Sequence, residues 1–281
     1  MAPFPSNIFH LYSTLLQDPH LLAGSPPSSS SVPFFTILAH GATVYVPQTN
    51  QWECGYCNFR MLLSALSAIF LSFPSSSSSS SFSPLPSPSP RSTSAVQKLL
   101  EDSWRDGSDP SACRYFSSAL VGKQGESGYT GAADFCCLLR HLGVSCNVET
   151  FGNVPDLLHF CRDYFTDTST ALMSGSPVLQ RSVPPLFLQR EGHSRTIVGV
   201  SYAPADNVVR LVLFDPRAPD APVVVMGEDV LEKEVRDKAK KVYQVIHVLR
   251  ERGGGGGGKV LELGAEEASK FSRNVKLVCC D

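Results

Sequence analysis

The chain has 281 residues, 42% of them hydrophobic and 18% charged, with a formal net charge of −2. That supplies one good-sized core or at most two small ones, and a charge this close to neutral disfavours a nucleic-acid partner. No apolar run reaches the roughly 18 residues of a membrane span, and Met1-Ala2-Pro3-Phe4-Pro5 lacks the charged and apolar regions of a secretory signal. The expected setting is therefore cytoplasmic or nuclear, with no membrane partner. The nine cysteines fit that setting, being odd in number and partly set within apolar, periodic segments where reduced core thiols belong. Only one Cys-x-x-Cys occurs and no second ligand pair stands at finger spacing, so neither a metal nor another cofactor is expected.

Residues 1–36 hold a short apolar-periodic stretch, then Pro26-Pro27 and a serine run, and read as a loosely ordered arm. Phe59, Leu62, Leu63, Leu66, Ile69 and Phe70 recur at helical spacing, predicting a helix after Cys54 with one buried stripe. Residues 74–94 dissolve into serine and proline and cannot bury enough apolar surface to offset their ordering entropy, so they read as a disordered insertion. Val96, Leu99 and Leu100 predict a short helix ending near Trp104, followed by turn chemistry from Asp106 to Pro110. A helix is predicted over 131–142, stopped by Gly143; a strand over Val144 to Val148; and a helix over 154–165.

Beyond Pro185 the pattern turns to strands: Leu186 to Gln189, Thr196 to Tyr202, Val208 to Asp215, Val223 to Met226 and Val242 to Leu249, with one charged helix near 228–241. Helices first and antiparallel strands second is an α+β order. One domain over 37–250 is expected, interrupted by the insertion, with a Gly-rich linker and tail over 251–281.

The chemistry centres on Gln51-Trp52-Glu53-Cys54-Gly55-Tyr56-Cys57-Asn58-Phe59 and on Gly192-His193-Ser194 at the head of an apolar run. A helix N-terminus lowers a thiol's pKa, and the thiolate is the reactive form. A thiol hydrolase also needs an imidazole, a group to orient it and a donor for the oxyanion. Cys54 is the nucleophile by position and His193 the imidazole; His141 and His159 fall in helix-like segments and His247 in the last strand. Asp215 is the orienter, because antiparallel neighbours bring the end of Val208 to Phe214 beside His193; Asp206 and Asn207 are weaker candidates. Gln48 stands six residues before Cys54, the offset of the papain-like glutamine, with Gln51 as the competing oxyanion donor.

The block Trp52-x-Cys54-Gly55-Tyr56-x-Asn58-Phe59-x-Met61-Leu62-Leu63-Ser64 resembles the signature of the zinc-finger-containing ubiquitin peptidase family, relatives of the ubiquitin-fold-modifier-specific proteases. The resemblance continues through Leu100 to Trp104, Asp109-Pro110, Tyr129-x-Gly131, Leu188-Gln189-x-x-Gly192-His193-Ser194-Arg195-Thr196, Leu213-Phe214-Asp215-Pro216 and Tyr243 to Ile246. It implies a papain-like cysteine peptidase fold, with the nucleophile at the N-terminus of a buried helix and the His and Asp on an antiparallel sheet. It also implies cleavage of ubiquitin or ubiquitin-like proteins after their terminal Gly-Gly, with Cys54, His193 and Asp215 as the catalytic set. Asp109 and Asp134 fall where the family carries acidic residues facing the modifier, whose tail arginines such carboxylates would read.

The chain departs from that signature at Glu53 and Cys57, where the family has glycine and arginine, and these 281 residues carry no zinc-finger pattern. Glu53 is expected to crowd the path of the substrate glycines and to raise the Cys54 pKa. Cys57 creates a Cys-Gly-Tyr-Cys sequence, so two readings compete with the peptidase: a thiol-disulfide oxidoreductase using Cys54 and Cys57, and a catalytically silent binder of ubiquitin-like proteins. Replacing the serine- and proline-rich insertion with a short Gly/Ser linker is expected to leave the thermal unfolding midpoint unchanged. A loss of several degrees would show that the insertion contributes to the fold.

Overall fold

The computed structural model describes residues 7–17, 35–71, 92–116, 119–166, 177–204, 206–236, 238 and 242–249. The expectations for residues 18–34, for the insertion up to residue 91 and for the tail 251–281 lie outside these residues. Ser92 to Ser94, expected in the insertion, belong instead to a helix start: the Ser92 hydroxyl accepts the Ala95 N–H and so caps the helix that follows.

The alternating segments after Pro185 form β4 (Leu186–Arg190), β5 (His193–Ala203), β6 (Val208–Phe214), β7 (Val223–Met226) and β8 (Tyr243–Val248). With β1 (Phe35–Leu38), β2 (Cys146–Phe151) and β3 (Val178–Gln180) they make one eight-stranded sheet. The pairings are antiparallel except β1 with β3. The long strand β5 is shared: β4 takes its first half, β1 its last, and β6 runs along its other edge. A bulge falls between Ile197 and Gly199, where β1 closes on β5. A side chain at Gly199 would run into the Ile37 carbonyl, so glycine permits that approach.

The helices are α1 (Ile8–Gln17), α2 (Cys54–Leu71), α3 (Thr93–Arg105), α4 (Pro110–Tyr115), α5 (Ala132–His141), α6 (Val154–Thr166) and α7 (Glu228–Arg236). The class is α+β, as expected. None of the helices among the described residues is long and apolar enough to cross a membrane.

Two apolar clusters form on opposite faces of the sheet, as the period-2 alternation of strands requires. On β8, Tyr243 and Val245 enter one cluster while Ile246 and Val248 enter the other. Helices α1, α6 and α7 complete the first cluster, and α3, α4 and α5 complete the second. Helix α2 contributes to both: Cys57 and Met61 to the first, and Tyr56, Phe59, Leu62, Leu63 and Leu66 to the second. It is therefore buried nearly all round, which fixes the position of its first residue.

Three expectations need correction. The part of the arm within the described residues is docked: Ile8 and Leu11 are fully buried in the first cluster, and the Ile8 N–H donates to the Thr43 carbonyl. The turn expected from Asp106 to Pro110 ends at Asp109, and Pro110 instead opens a helix through Tyr115, because Asp109 caps it and Pro110 preorganises its first turn. Strands β1 and β3 stand outside the expected order and, at only four and three residues, are too short to show a period, while the strand expected over Val144 to Val148 forms as β2 over Cys146–Phe151.

Leu11→Ala is expected to cost about 2–5 kcal/mol of stability by chemical denaturation, the range for a buried leucine truncation. An unchanged midpoint would contradict the docking of α1.

Candidate active site

Cys54 is the first residue of α2 and is 9% exposed. Its backbone N–H belongs to the first helical turn, which has no intrahelical partner, and the positive end of the helix dipole faces the thiol. A side chain at Gly55 would press on the Phe135 ring and the Thr130 carbonyl, so glycine lets the segment before α5 form one wall beside the thiol. That wall is pinned by the Tyr56 hydroxyl, which donates to the Gly128 carbonyl at 2.7 Å.

His193 opens β5 directly after the hairpin turn at Glu191-Gly192. Gly192 has φ +78° with open space around it, so its role is the left-handed backbone of the turn rather than clearance beside the histidine. The antiparallel register pairs Thr196 with Phe214, so the residue after Phe214 lands beside the start of β5. There His193 Nε2 donates to Asp215 at 3.0 Å to Oδ1 and 3.1 Å to Oδ2. This leaves Nδ1 as the nitrogen able to take the thiol proton; it is buried and makes no full hydrogen bond, and the Cys54 thiol lies within interacting range of the ring. Burial by itself pushes the thiol's pKa up, but hydrogen bonding to His193 and Ser194 and the histidine's charge outweigh it, leaving Cys54 lowered to about 7.

Asp215 is also partly buried, which opposes its charge, yet His193, Arg195 and the Arg217 N–H hold its carboxyl well below the usual range. Arg195 Nε donates to Asp215 Oδ2 at 2.6 Å, while its two terminal nitrogens grip Glu234 of α7 at 2.8 Å each. Arg190 Nε adds a bond to Glu234 at 3.1 Å. A chain of alternating charge thus runs from His193 through Asp215, Arg195 and Glu234 to Arg190. The weaker orienter candidates stand elsewhere: Asp206 and Asn207 lie in the turn at the far end of β5, where Asn207 accepts a bond from Arg162.

Gln48 is tied to the same corner, since its N–H donates to the Pro216 carbonyl at 3.0 Å, and its buried Oε1 has no hydrogen-bond partner. Gln51 is exposed in the preceding turn. Glu53 does not crowd the nucleophile as expected: Oε2 accepts bonds from Thr49 (2.6 Å from the hydroxyl, 3.1 Å from the N–H) and from the Asn50 N–H, and Oε1 accepts the Thr93 hydroxyl. It ties the loop before α2 to the start of α3, and the Cys54 thiol is lowered rather than raised. Burial opposes the Glu53 charge, but the bonds from Thr49 and Asn50 still bring its pKa down. Cys57 is buried, its thiol pushed up to about 12 by burial, and it donates to the Pro47 carbonyl at 3.5 Å.

Asp109 and Asp134 both do capping work. Asp109 accepts the N–H groups of Ser111 and Ala112 at the start of α4, and Asp134 reaches back to the Gly131 N–H at 2.7 Å. Burial raises the Asp134 pKa, and the nearby Asp109 charge adds to that rise. Among the described residues no cluster of His, Cys, Asp and Glu could hold a metal ion.

The residues that sequence reasoning left without a role are Asn58, Ser194 and Glu234. For two of them a signal existed: Asn58 is a polar residue in the buried stretch of α2, and Ser194 and Thr196 stand two apart in an otherwise apolar strand. Glu234 is one of many charges on an amphipathic helix and carries no such mark.

A thiol at a helix start, facing an imidazole and a carboxylate on neighbouring antiparallel strands, is the layout of the papain-like cysteine peptidases. The chain belongs to peptidase family C78, whose profile matches residues 43–246. It is 30% identical over 213 residues to zinc finger-containing ubiquitin peptidase 1 of Macaca fascicularis, covering 70% of this chain and 34% of that protein. The Homo sapiens protein of the same name is 28% identical over 213 residues. The chain thus spans about a third of the length of these curated relatives, 34% in each case. Among solved structures, UfSP from C. elegans aligns with a TM-score of 0.46 at 12% identity, covering 82% of this chain and 36% of that one.

Alkylation of Cys54 followed across pH is expected to show a midpoint near 7, with labelling falling as pH drops and the thiolate is protonated. In His193→Ala the midpoint should move up toward the ordinary thiol range; a midpoint unmoved by that change would mean the histidine does not hold the thiolate.

Proposed function

We propose that this chain is a cysteine peptidase acting on ubiquitin or a ubiquitin-like protein, the ubiquitin-fold modifier included, and cleaving after the modifier's C-terminal Gly-Gly. The observation that carries the reading is the alignment of Cys54, His193 and Asp215, with Asp215 bridging both carboxylate oxygens to one imidazole nitrogen. Family membership and the relatives' printed names support the substrate class. The expected setting remains cytoplasmic or nuclear.

In this mechanism the Cys54 thiolate attacks the carbonyl carbon of the modifier's last glycine, forming the S–C bond and an oxyanion. The Cys54 N–H and the Gln48 side-chain amide donate to that oxyanion. The His193 imidazolium then gives its Nδ1 proton to the departing amine, the C–N bond breaks, and a thioester remains. Water, deprotonated by His193, attacks the thioester; the modifier leaves with a free carboxylate and the thiolate is restored. Asp215 holds the ring by Nε2 and stabilises its positive form without taking the proton. Asp109 and Asp134 are the carboxylates for arginines in the modifier's tail.

The two competing readings draw less support. Cys57 is committed to the Pro47 carbonyl within the core, and an oxidoreductase leaves His193 and Asp215 without work. The reason for a silent site was Glu53, whose carboxylate is engaged in the loop and at Thr93.

The deciding experiment uses ubiquitin and ubiquitin-fold modifier carrying a C-terminal thiol-reactive warhead. A covalent adduct at Cys54, lost in Cys54→Ala and strongly reduced in His193→Ala, is the expected result. Binding without an adduct would leave the silent binder, and insulin-disulfide reduction that requires Cys57 would leave the oxidoreductase. Gln48→Ala is expected to slow hydrolysis by about 10²–10³-fold, whereas Asp134→Lys should raise KM with little change in kcat.

A further inference from the structure

Asn58, fully buried one turn into α2, has every side-chain atom assigned by its neighbours. Its Oδ1 accepts the Thr196 hydroxyl at 2.7 Å, so the other terminus is the NH₂ group. Nδ2 then donates twice: to the Cys54 carbonyl at 2.7 Å and to Ser194 Oγ at 3.1 Å. Along β5 the side chains alternate, so Ser194 and Thr196 meet α2 while His193 and Arg195 both reach Asp215. The two faces of one strand thus converge on the thiol, one bringing the imidazole and the other a hydroxyl.

A hydroxyl has one proton and two lone pairs. Asn58 Nδ2 donates to Ser194 Oγ and to the Cys54 carbonyl together, which holds the hydroxyl against the first turn of α2 and leaves its proton free; the Cys54 thiol, which the Ser194 hydroxyl and N–H both approach, is the acceptor there. The geometry points to Ser194 as a positioning residue that donates its hydroxyl proton to the Cys54 thiolate, with its orientation set by Asn58 and Thr196. The inference rests on the reading of Cys54 as a thiolate nucleophile. It adds a side-chain donor to the thiolate beside His193 and the Ser194 N–H, so the sulfur stays put when the imidazolium gives up its proton to the leaving amine. The titratable groups around the thiol are His193 on β5, Glu53 before α2, Cys57 one turn along it and, beyond Cys57, Arg60; Ser194 itself does not titrate.

The test is the pH profile of iodoacetamide labelling at Cys54, read by peptide mass spectrometry on the full chain alongside the thermal midpoint. Ser194→Ala should move the labelling midpoint up by about one pH unit, a ~10-fold loss of labelling rate below the midpoint, and the difference should vanish at high pH. Thr196→Val, which releases Asn58 without touching the thiol, should move it in the same direction by less. A Ser194→Ala profile that overlays the wild type overturns the inference. If His193→Ala shifts the midpoint and Ser194→Ala does not, the inference fails alone; if neither does, the thiolate reading beneath it fails too.

Discussion

The antiparallel register between β5 and β6 is the constraint on which the site depends. Thr196 opposite Phe214 brings Asp215 to His193; a slip of one residue would turn Asp215 to the other face of the sheet and leave the imidazole unoriented. The bulge between Ile197 and Gly199 lies in this same pairing, just beyond Ile197 opposite Leu213. Asp215 is in turn clamped by Arg195, whose guanidinium is shared with Glu234. An unpaired arginine this close to the site would be costly to bury, and the carboxylate on α7 removes that cost. The orientation of one histidine is thereby secured by α7, a helix that supplies neither the thiol nor the imidazole.

The same logic explains the two oddities beside Cys54. Glu53 is a buried charge, and buried charges survive only when their lone pairs are used. Here the loop N–H and hydroxyl groups of Thr49 and Asn50 use them, with Thr93 at the other oxygen, so the residue acts as a brace between the loop and α3. Cys57 occupies a core position in the same apolar cluster as Val46 and Met61, where a small apolar group packs and an arginine would need a charge partner.

Much of this was legible in the sequence, for identifiable reasons. Long periodic segments such as α2, α5, α6 and β4 to β8 announce themselves, because burial of one face dictates their spacing. Cys54, His193 and Asp215 are visible because each stands at an element boundary in an apolar setting. What escaped were features with no local signature. The docking of α1 depends on a surface made by residues far along the chain, β1 and β3 are too short for a period, and the partnership of Arg195 with Glu234 spans two elements that only the fold brings together. The effect of Glu53 was misjudged because side-chain direction, not charge, decides whom a carboxylate meets.

Helix α2 is the single helix among those described that belongs to both apolar clusters. Its first turn therefore cannot loosen by itself: neither half of the core can open without withdrawing packing from the helix that carries the thiol. Hydrogen exchange should find the amides of the middle turns of α2, around Met61 to Leu66, among the slowest in the molecule, opening only with the whole domain. A thiol placed this way loses its setting on heating only together with the packing on both faces of the sheet.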